Sequence, residues 1–567
     1  MKTFIICVLS ALNMADAFCA QDLASFRFQS TGQLMDDDLD LMLDPLELGH
    51  TADYRLFSNL SNLGTGQEEA LGSSSDNSLV LGIGGDLPFV DDARGALFFM
   101  RQGEKSASPV GLDLDADGFV DLLGNGEISG DYDRYFDDGG DGLYDFRVHR
   151  DGLKKDHSES NWRQFIGVAN FDMNIWRLGL RLNSSVDEEN AIVEDSWDYR
   201  HYNLYDVYQL TAIGDHNLEA GSADEKRISL DIALQTTWLQ TELGMLLSLG
   251  HWSAESDGNG GELLYQQSMN LDGLINETSD EIDNVSGEKF ERSGIGLELR
   301  YRRQMAESSE RKGESFWELK SHLSHWGGTA TSRAEYVMEN IAWDPVVRER
   351  LWEHSSENID GDANINGINV SGRWVKNLDE RVRMAVGLSL ARELWTYDQN
   401  GVDAWSERDS TVYMDGNWDD YDEWVHRTSQ LSFDQKTEIR YDEMRIPVGL
   451  EYLFGNKRHW TFRLSASYTS SKEYRDARRQ VRDSDPIVQE YYRGDGYQSV
   501  VISDNEYMST STHEEKAASS TLFAYGLGYV PTPSLQVDFI TFFGTEDNSI
   551  LDASFYRNLR LSATFRF

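Results

Sequence analysis

Stretches that alternate strictly between apolar residues and small or polar ones recur along this chain, and they limit its fold more than any other feature. In WRLGLRLN, Trp176, Leu178, Leu180 and Leu182 alternate with Arg177, Gly179, Arg181 and Asn183. RISLDIALQ sets Ile228, Leu230, Ile232 and Leu234 against Arg227, Ser229, Asp231, Ala233 and Gln235. VRMAVGLSL and WTFRLSASY repeat the pattern, and the sequence ends on it in NLRLSATFRF. A period of two marks strands with two unlike faces. Segments of this kind fall from about residue 78 onward in fifteen places, and TADYRLFSNL, residues 51–60, supplies a weaker sixteenth.

A soluble sandwich alternates with its apolar residues inward, whereas a membrane barrel turns them outward to lipid. The connections separate the two. Short links fall near 172–175, 236–239, 377–380, 455–459 and 531–534, and long polar stretches occupy 104–160, 185–225, 253–289, 328–365, 398–435 and 476–515. Long structureless connections are rare in compact soluble domains, but barrels join their strands by short periplasmic turns and long outer loops. The polar face is rich in Gly, Ser and Arg, and Trp176, Trp238, Trp374, Tyr452, Trp460 and Tyr529 sit near strand ends, as an interfacial girdle requires. The expected fold is all-β: a transmembrane antiparallel up-and-down barrel of about 16 strands (roughly 14–18), with short periplasmic turns and long acidic extracellular loops.

Charge narrows the function. The chain carries 98 Asp and Glu against 51 Lys and Arg, a formal net charge of -47. Nucleic-acid partners are excluded, because they need clustered basic residues. Aromatic residues make up 11% and there are only 8 prolines, which argues against a disordered acidic polymer. Lys2, the apolar run Phe4 to Leu12 and the small residues that follow read as an export signal over residues 1–20. That run falls short of the roughly 18 residues of a membrane anchor. Residues 21–50 then form an acidic periplasmic leader or a small hatch, with a flexible leader as the first expectation. Residues 51–567 form the barrel. Both cysteines, Cys7 and Cys19, lie in the first 20 residues, so no disulfide is expected downstream.

The final strand, with Leu559, Leu561, Phe565 and a terminal Phe567, resembles the assembly signal of Gram-negative outer-membrane β-barrel proteins. The resemblance spans the export signal, the hairpin rhythm and the last strand, and it specifies an architecture. It implies the cell outer membrane, contact with its lipid, and recognition of Phe565 and Phe567 by the barrel-assembly machinery. It further implies pairing of the last strand with the first, which removes an edge that lipid cannot satisfy. By analogy with porin-like barrels, a homotrimer is expected.

The inward positions are charged. The alternation turns Arg177, Arg181, Arg227, Arg300, Arg302, Arg373, Arg383, Arg445 and Arg463 toward the lumen, together with Glu242, Glu298, Glu318 and Glu451. Charges lining a narrow pore select what passes. The expected function is a porin-like channel for passive diffusion of small hydrophilic solutes. The alternatives are a non-conducting anchor that displays loops for adhesion, and a hatch-gated channel for hydrophobic substrates.

GLDLDADGFVDLLGNG places Asp113, Asp115, Asp117, Gly118 and Asp121 at the first, third, fifth, sixth and ninth places of a calcium loop. Carboxylates two apart wrap one hard cation, and glycine allows the bend. A second copy holds Asp137, Gly139, Asp141, Gly142 and Asp145. Gly124 stands where a calcium-binding hand would have its bidentate Glu, so the motif resembles the Asp-rich loops of extracellular calcium repeats. Segment 104–160 holds fifteen Asp and Glu against six Lys and Arg, and bound Ca2+ would offset that repulsion. No zinc pair, nucleophile elbow or phosphate loop is present, so no enzymatic activity is expected.

Overall fold

The computed structural model describes residues 25–567, apart from 51–53, 62–74, 88–89, 91, 138–139, 204–209, 270–274, 306–314, 344–346, 414–422, 456–458, 494–495, 504–508 and 545–559. The export signal and Gly139 lie outside the described residues. Sixteen strands form the main ring. β1 to β3 are Arg55–Ser61, Ser75–Asp86 and Ala93–Ala107. β4 to β8 are Phe146–Met173, Trp176–Asn203, Leu210–Trp238, Thr241–Met269 and Ile275–Gln304. β9 to β12 are Phe316–Trp343, Val347–Asn377, Val382–Tyr413 and Glu423–Phe454. β13 to β16 are Trp460–Ser484, Thr510–Thr532, Leu535–Gly544 and Arg560–Arg566.

Each strand pairs antiparallel with the next. The ring shuts where β16 meets β1, with Arg566 opposite Arg55 and Phe565 opposite Leu56. The carbonyl of Phe567 also accepts from the Tyr54 amide, at 3.2 Å. Among the described residues, every one of the sixteen ring strands is paired on both sides, the condition for a sheet in hydrocarbon. Leu230, Ile232, Leu243, Leu299, Leu323 and Leu388 are exposed on the outer surface, while their neighbours Asp231, Glu242 and Arg300 are buried. Apolar side chains therefore face lipid and charged ones face the interior. At the short-turn end Trp460 stacks on Tyr529 at 4.2 Å and Tyr301 packs on Trp317 at 4.8 Å, an aromatic rim of the expected kind.

The long connections differ from expectation. Most of 185–225, 253–289, 328–365 and 398–435 is not loop but continued strand, so β4 to β12 run for 28 to 32 residues each, β7 pairing with β8 from Thr241 opposite Arg303 to Met269 opposite Ile275. A span of hydrocarbon needs only about 9–11 residues of strand. Beyond the bilayer neither face has lipid to meet, so the apolar set vanishes while the backbone ladder carries on. Segment 104–160 is likewise structured: Pro109–Leu112 pairs with Leu122–Asn125, and Glu127–Phe136 adds to β4. A further pair, Ile487–Arg493 and Gly496–Ser503, extends from β12.

Residues 25–50 do not hang free as a leader. They fold into two short helices, α1 (Phe26–Ser30) and α2 (Asp38–Leu43), followed by a single 3-10 turn, Leu48–His50. Ser25 caps α1 by accepting from the Phe28 amide, and Asp37 with Asp40 forms a capping box on α2. Leu39, Met42, Leu43 and Leu48 pack against Phe57, Val80, Phe98 and Ile166 of the inner wall. Leu34 and Met35 meet Phe316, Val375 and Ala385, and Leu46 meets Ala233 and Leu246. The segment thus lies inside the ring, toward the short-turn end, with an apolar seat under each part.

Candidate functional site

Charge fixes the segment as firmly as packing does. Arg27 grips Glu451 with two parallel bonds, Nε to Oε2 and Nη2 to Oε1, both 2.9 Å. Arg373 does the same from the wall, reaching Asp36 at 2.8 and 2.7 Å and Glu318 at 2.8 Å. Arg300 meets Asp44 at 2.7 Å and Glu47 at 3.3 Å, and Arg302 shares Glu47 at 3.3 Å. Arg566 holds Asp38 at 2.9 Å. Planar, doubled pairs of this kind add geometric specificity to strength. The acidity of residues 25–50 matches the basic wall.

Close backbone approach completes the seat. A Cβ built on Gly449 would lie 2.4 Å from the Thr31 carbonyl oxygen, and one on Gly179 would lie 2.2 Å from that of Pro45. The Asn170 side chain donates to the same Pro45 oxygen at 2.7 Å. Burial by itself would raise the pKa of Asp36 and of Asp44, but Arg373 and Arg300 override it and hold both below the ordinary aspartate value. Asp40 goes the other way: burial and the nearby Asp36 charge push it up to about 7.

The wall residues named from sequence divide by partner. Arg300, Arg302, Arg373 and Glu451 bind residues 25–50, as do Arg177, bonded to His50 at 2.6 Å, and Arg445, bonded to Gln33. Arg383 and Arg463 back up Glu451 at 3.7 and 3.2 Å, Glu298 meets Arg300 at 3.2 Å, and Glu318 meets Arg373. Arg181 pairs with Asp231 at 2.6 Å and Arg227 with Glu225, across or along the wall. Glu242 is buried beside Glu47 and His50. Those three donors lie close enough to share an ion, but guanidinium groups already occupy Glu47 and His50, which disfavours a cation there.

On the long-hairpin side of residues 25–50 the lumen opens into a chamber of about 630 Å³. Phe290, Trp252, Trp326, Trp395 and Tyr397 line it, together with Arg292. None of these was singled out in the sequence. Arg292 shares the even-numbered parity of Glu298, Arg300 and Arg302 on β8, so alternation alone places it inside; Phe290 shares its strand and Trp252 sits opposite on β7, but Trp395 and Tyr397 come from β11, about a hundred residues away in sequence.

Farther out, one carboxylate oxygen from each of Asp113, Asp115 and Asp117 lies within 4.8 Å of the others. The turn is held by Asp113 accepting from the Gly118 amide at 2.9 Å and Asp121 accepting from Leu114 at 2.8 Å. Gly118 has φ 91°. The second turn repeats the local pattern, Asp137 accepting from Gly140 and Gly142 at 2.6 and 2.7 Å and Asp141 from Leu143 at 2.9 Å. Asp145 donates its amide to Phe136. Among the described residues only the first turn brings three carboxylates together.

No family model and no curated protein matches this chain. Solved structures do. The TodX monoaromatic hydrocarbon channel, in a deltaS2 mutant, is 9% identical with a TM-score of 0.31, over 97% of this chain and 100% of that one. The ferripyoverdine receptor of the outer membrane of Pseudomonas aeruginosa is 9% identical with a TM-score of 0.24, over 91% and 72%. The outer membrane transporter YddB of Escherichia coli is 7% identical with a TM-score of 0.25, over 91% and 81%. Likenesses of this degree concern barrel architecture alone.

The expectation of a porin-like passive channel is corrected. Such a channel needs a free bore, and here residues 25–50 fill the lumen at the short-turn end, tied to the wall by at least four sets of ion pairs. The reading as a mere loop-bearing anchor gains nothing from these findings. The closed ring, apolar outward and charged inward, has the architecture of an outer-membrane β-barrel.

Proposed function

We propose that this protein is a gated outer-membrane transporter for a small solute, in which residues 25–50 are the hatch. The observation that carries this reading is the docking of that segment through paired charges, with an open chamber beyond it. Ion pairs between a short segment and a wall are a reversible fastening, because each partner can exchange the other for water. A barrel of sixteen strands is otherwise wide enough for an aqueous channel. A solute entering from the hairpin end would collect in the chamber and pass when the hatch loosens.

Planar-bilayer recording of the full chain and of a variant lacking residues 21–50 tests the reading. The full chain is expected to be nearly silent with rare openings, and the deletion to conduct steadily. Equal steady conductance in both, or silence in both folded proteins, would remove the hatch from the account. Two further parts belong to the same proposal. Ca2+ bound by Asp113, Asp115 and Asp117 steadies the outer turn, and Phe565 and Phe567 on the last strand serve recognition by the assembly machinery.

A further inference from the structure

The chamber outside the hatch contains a cation that no carboxylate among the described residues neutralises. Arg292 is only 2% exposed, and among the described residues no carboxylate lies within ion-pair distance of it. Its Nη2 donates to the Tyr397 hydroxyl at 3.2 Å, while Nε and Nη1 have no hydrogen-bond partner. Aromatic rings surround it instead: Trp252 and Trp395 at 5.1 Å, Phe290 at 5.4 Å and Tyr397 at 5.5 Å from the guanidinium carbon. Cation–π contact offsets part of the desolvation, but buried donors left unmet still cost free energy. Beside Arg292, directly opposite in the β7–β8 register, Trp252 leaves its own buried Nε1–H without an acceptor. Two neighbouring side chains with buried, unused donors, both lining one cavity, describe a place for an acceptor.

The shape of that acceptor follows from its surroundings. Four aromatic rings offer faces and edges to a flat apolar body. Trp326 widens this part of the lumen because it lies over two glycines: a Cβ on Gly294 would come within 2.2 Å of its ring, and one on Gly250 within 2.5 Å. The rest of the chamber lining holds eight carboxylates against three further arginines, Arg181, Arg227 and Arg475, a net negative balance that would repel a second negative charge. The volume, about 630 Å³, lies in the range of small-molecule sites.

We infer that the chamber binds an organic monoanion with a flat, apolar ring, its charged oxygen received by Arg292 and Trp252 and its ring packed among Phe290, Trp395 and Tyr397. The inference rests on the transporter reading for its purpose, since this would be the solute held outside the hatch. Binding itself does not depend on the hatch moving.

Calorimetric titration of the folded, detergent-solubilised full chain tests it, with benzoate as probe and benzylamine and phthalate as charge controls. Benzoate is expected to bind saturably, benzylamine not at all, and phthalate at least tenfold more weakly than benzoate. Arg292→Gln should weaken benzoate at least tenfold, and Trp395→Leu should weaken benzoate more than cyclohexanecarboxylate. Retained heat-modifiable migration on gels shows that each variant is folded. No saturable benzoate binding by the native chain, unchanged binding in folded Arg292→Gln, or equal binding of benzylamine would overturn the site. Because these readouts are of binding, they stand apart from conductance: the hatch can fail with the site intact, and the site with the hatch intact.

Discussion

Arg373 shows what one guanidinium does for the closed state. It holds Asp36 of the hatch and Glu318 of the wall at once, at 2.7 and 2.8 Å. Removing one partner of a buried pair leaves its counter-charges stranded, at a cost of about 3–5 kcal/mol. Arg373→Ala is therefore expected to raise the open time in bilayer recordings at least tenfold while the barrel still folds; an unchanged open time would discount the pair. Gly449→Val acts on the same contact by steric means. Its side chain would enter the space of the Thr31 carbonyl, so the hatch must shift, and protease cleavage within residues 25–50 should quicken. The acids of the hatch also give it a pH profile. Asp36 and Asp44 are held below the ordinary aspartate value, so the stability they lend exists above that value and is lost as pH falls through it. Asp40, pushed up to about 7, has the opposite sign: its burial weakens the docked state progressively as pH rises from the ordinary aspartate value to about 7, and no further above that. Closure should be tightest near the ordinary aspartate value, at about pH 4, and loosen on either side. Open probability that varies in one direction only would contradict this. Arg292 was legible only in part from the sequence, since parity places it inside but no local pattern announces a cage built from β7, β8 and β11.

At the scale of elements, the strands were the most legible feature and the loops the least. Each of the sixteen ring strands overlaps a segment picked out by alternation, because every one must present an apolar face to lipid over part of its length. The hairpin extensions were not legible, since outside the bilayer both faces are polar and a ladder of Thr, Ser, Asn and acidic residues looks like loop. The inner faces of β1 to β4 blur the alternation instead. Phe57, Val80, Phe98 and Ile166 point inward to receive the hatch, so their strands are apolar on both sides. A signal for the hatch did exist in the inward glycines, such as Gly179 and Gly449, which permit a backbone to lie directly on the wall. The turn at Asp113 to Asp121 carries its own prediction. With calcium bound, chelation should speed protease cleavage within 109–125 severalfold, and Asp115→Asn should remove the difference between chelated and calcium-loaded protein. Cleavage indifferent to both would dismiss the ion.

For the whole molecule, the net charge of -47 takes on a spatial meaning. Acidic residues populate the outer hairpins and the hatch, while the inner wall at the short-turn end is basic, so the chain carries its own counter-charge into the lumen. The absence of cysteine after Cys19 makes the central claim open to a direct test. A Cβ on Gly32 of the hatch would lie 3.4 Å from the Ser465 Cβ of β13, close to the separation a disulfide spans. The left-handed backbone of Gly32 (φ 71°) would cost a cysteine about 1–2 kcal/mol, a small amount beside a covalent bond. The decisive measurement is bilayer conductance of the Gly32→Cys, Ser465→Cys double variant, oxidised and then reduced in the same membrane. Gating by the hatch predicts that openings vanish on oxidation and return with reductant; openings that persist unchanged in the tethered protein would contradict it.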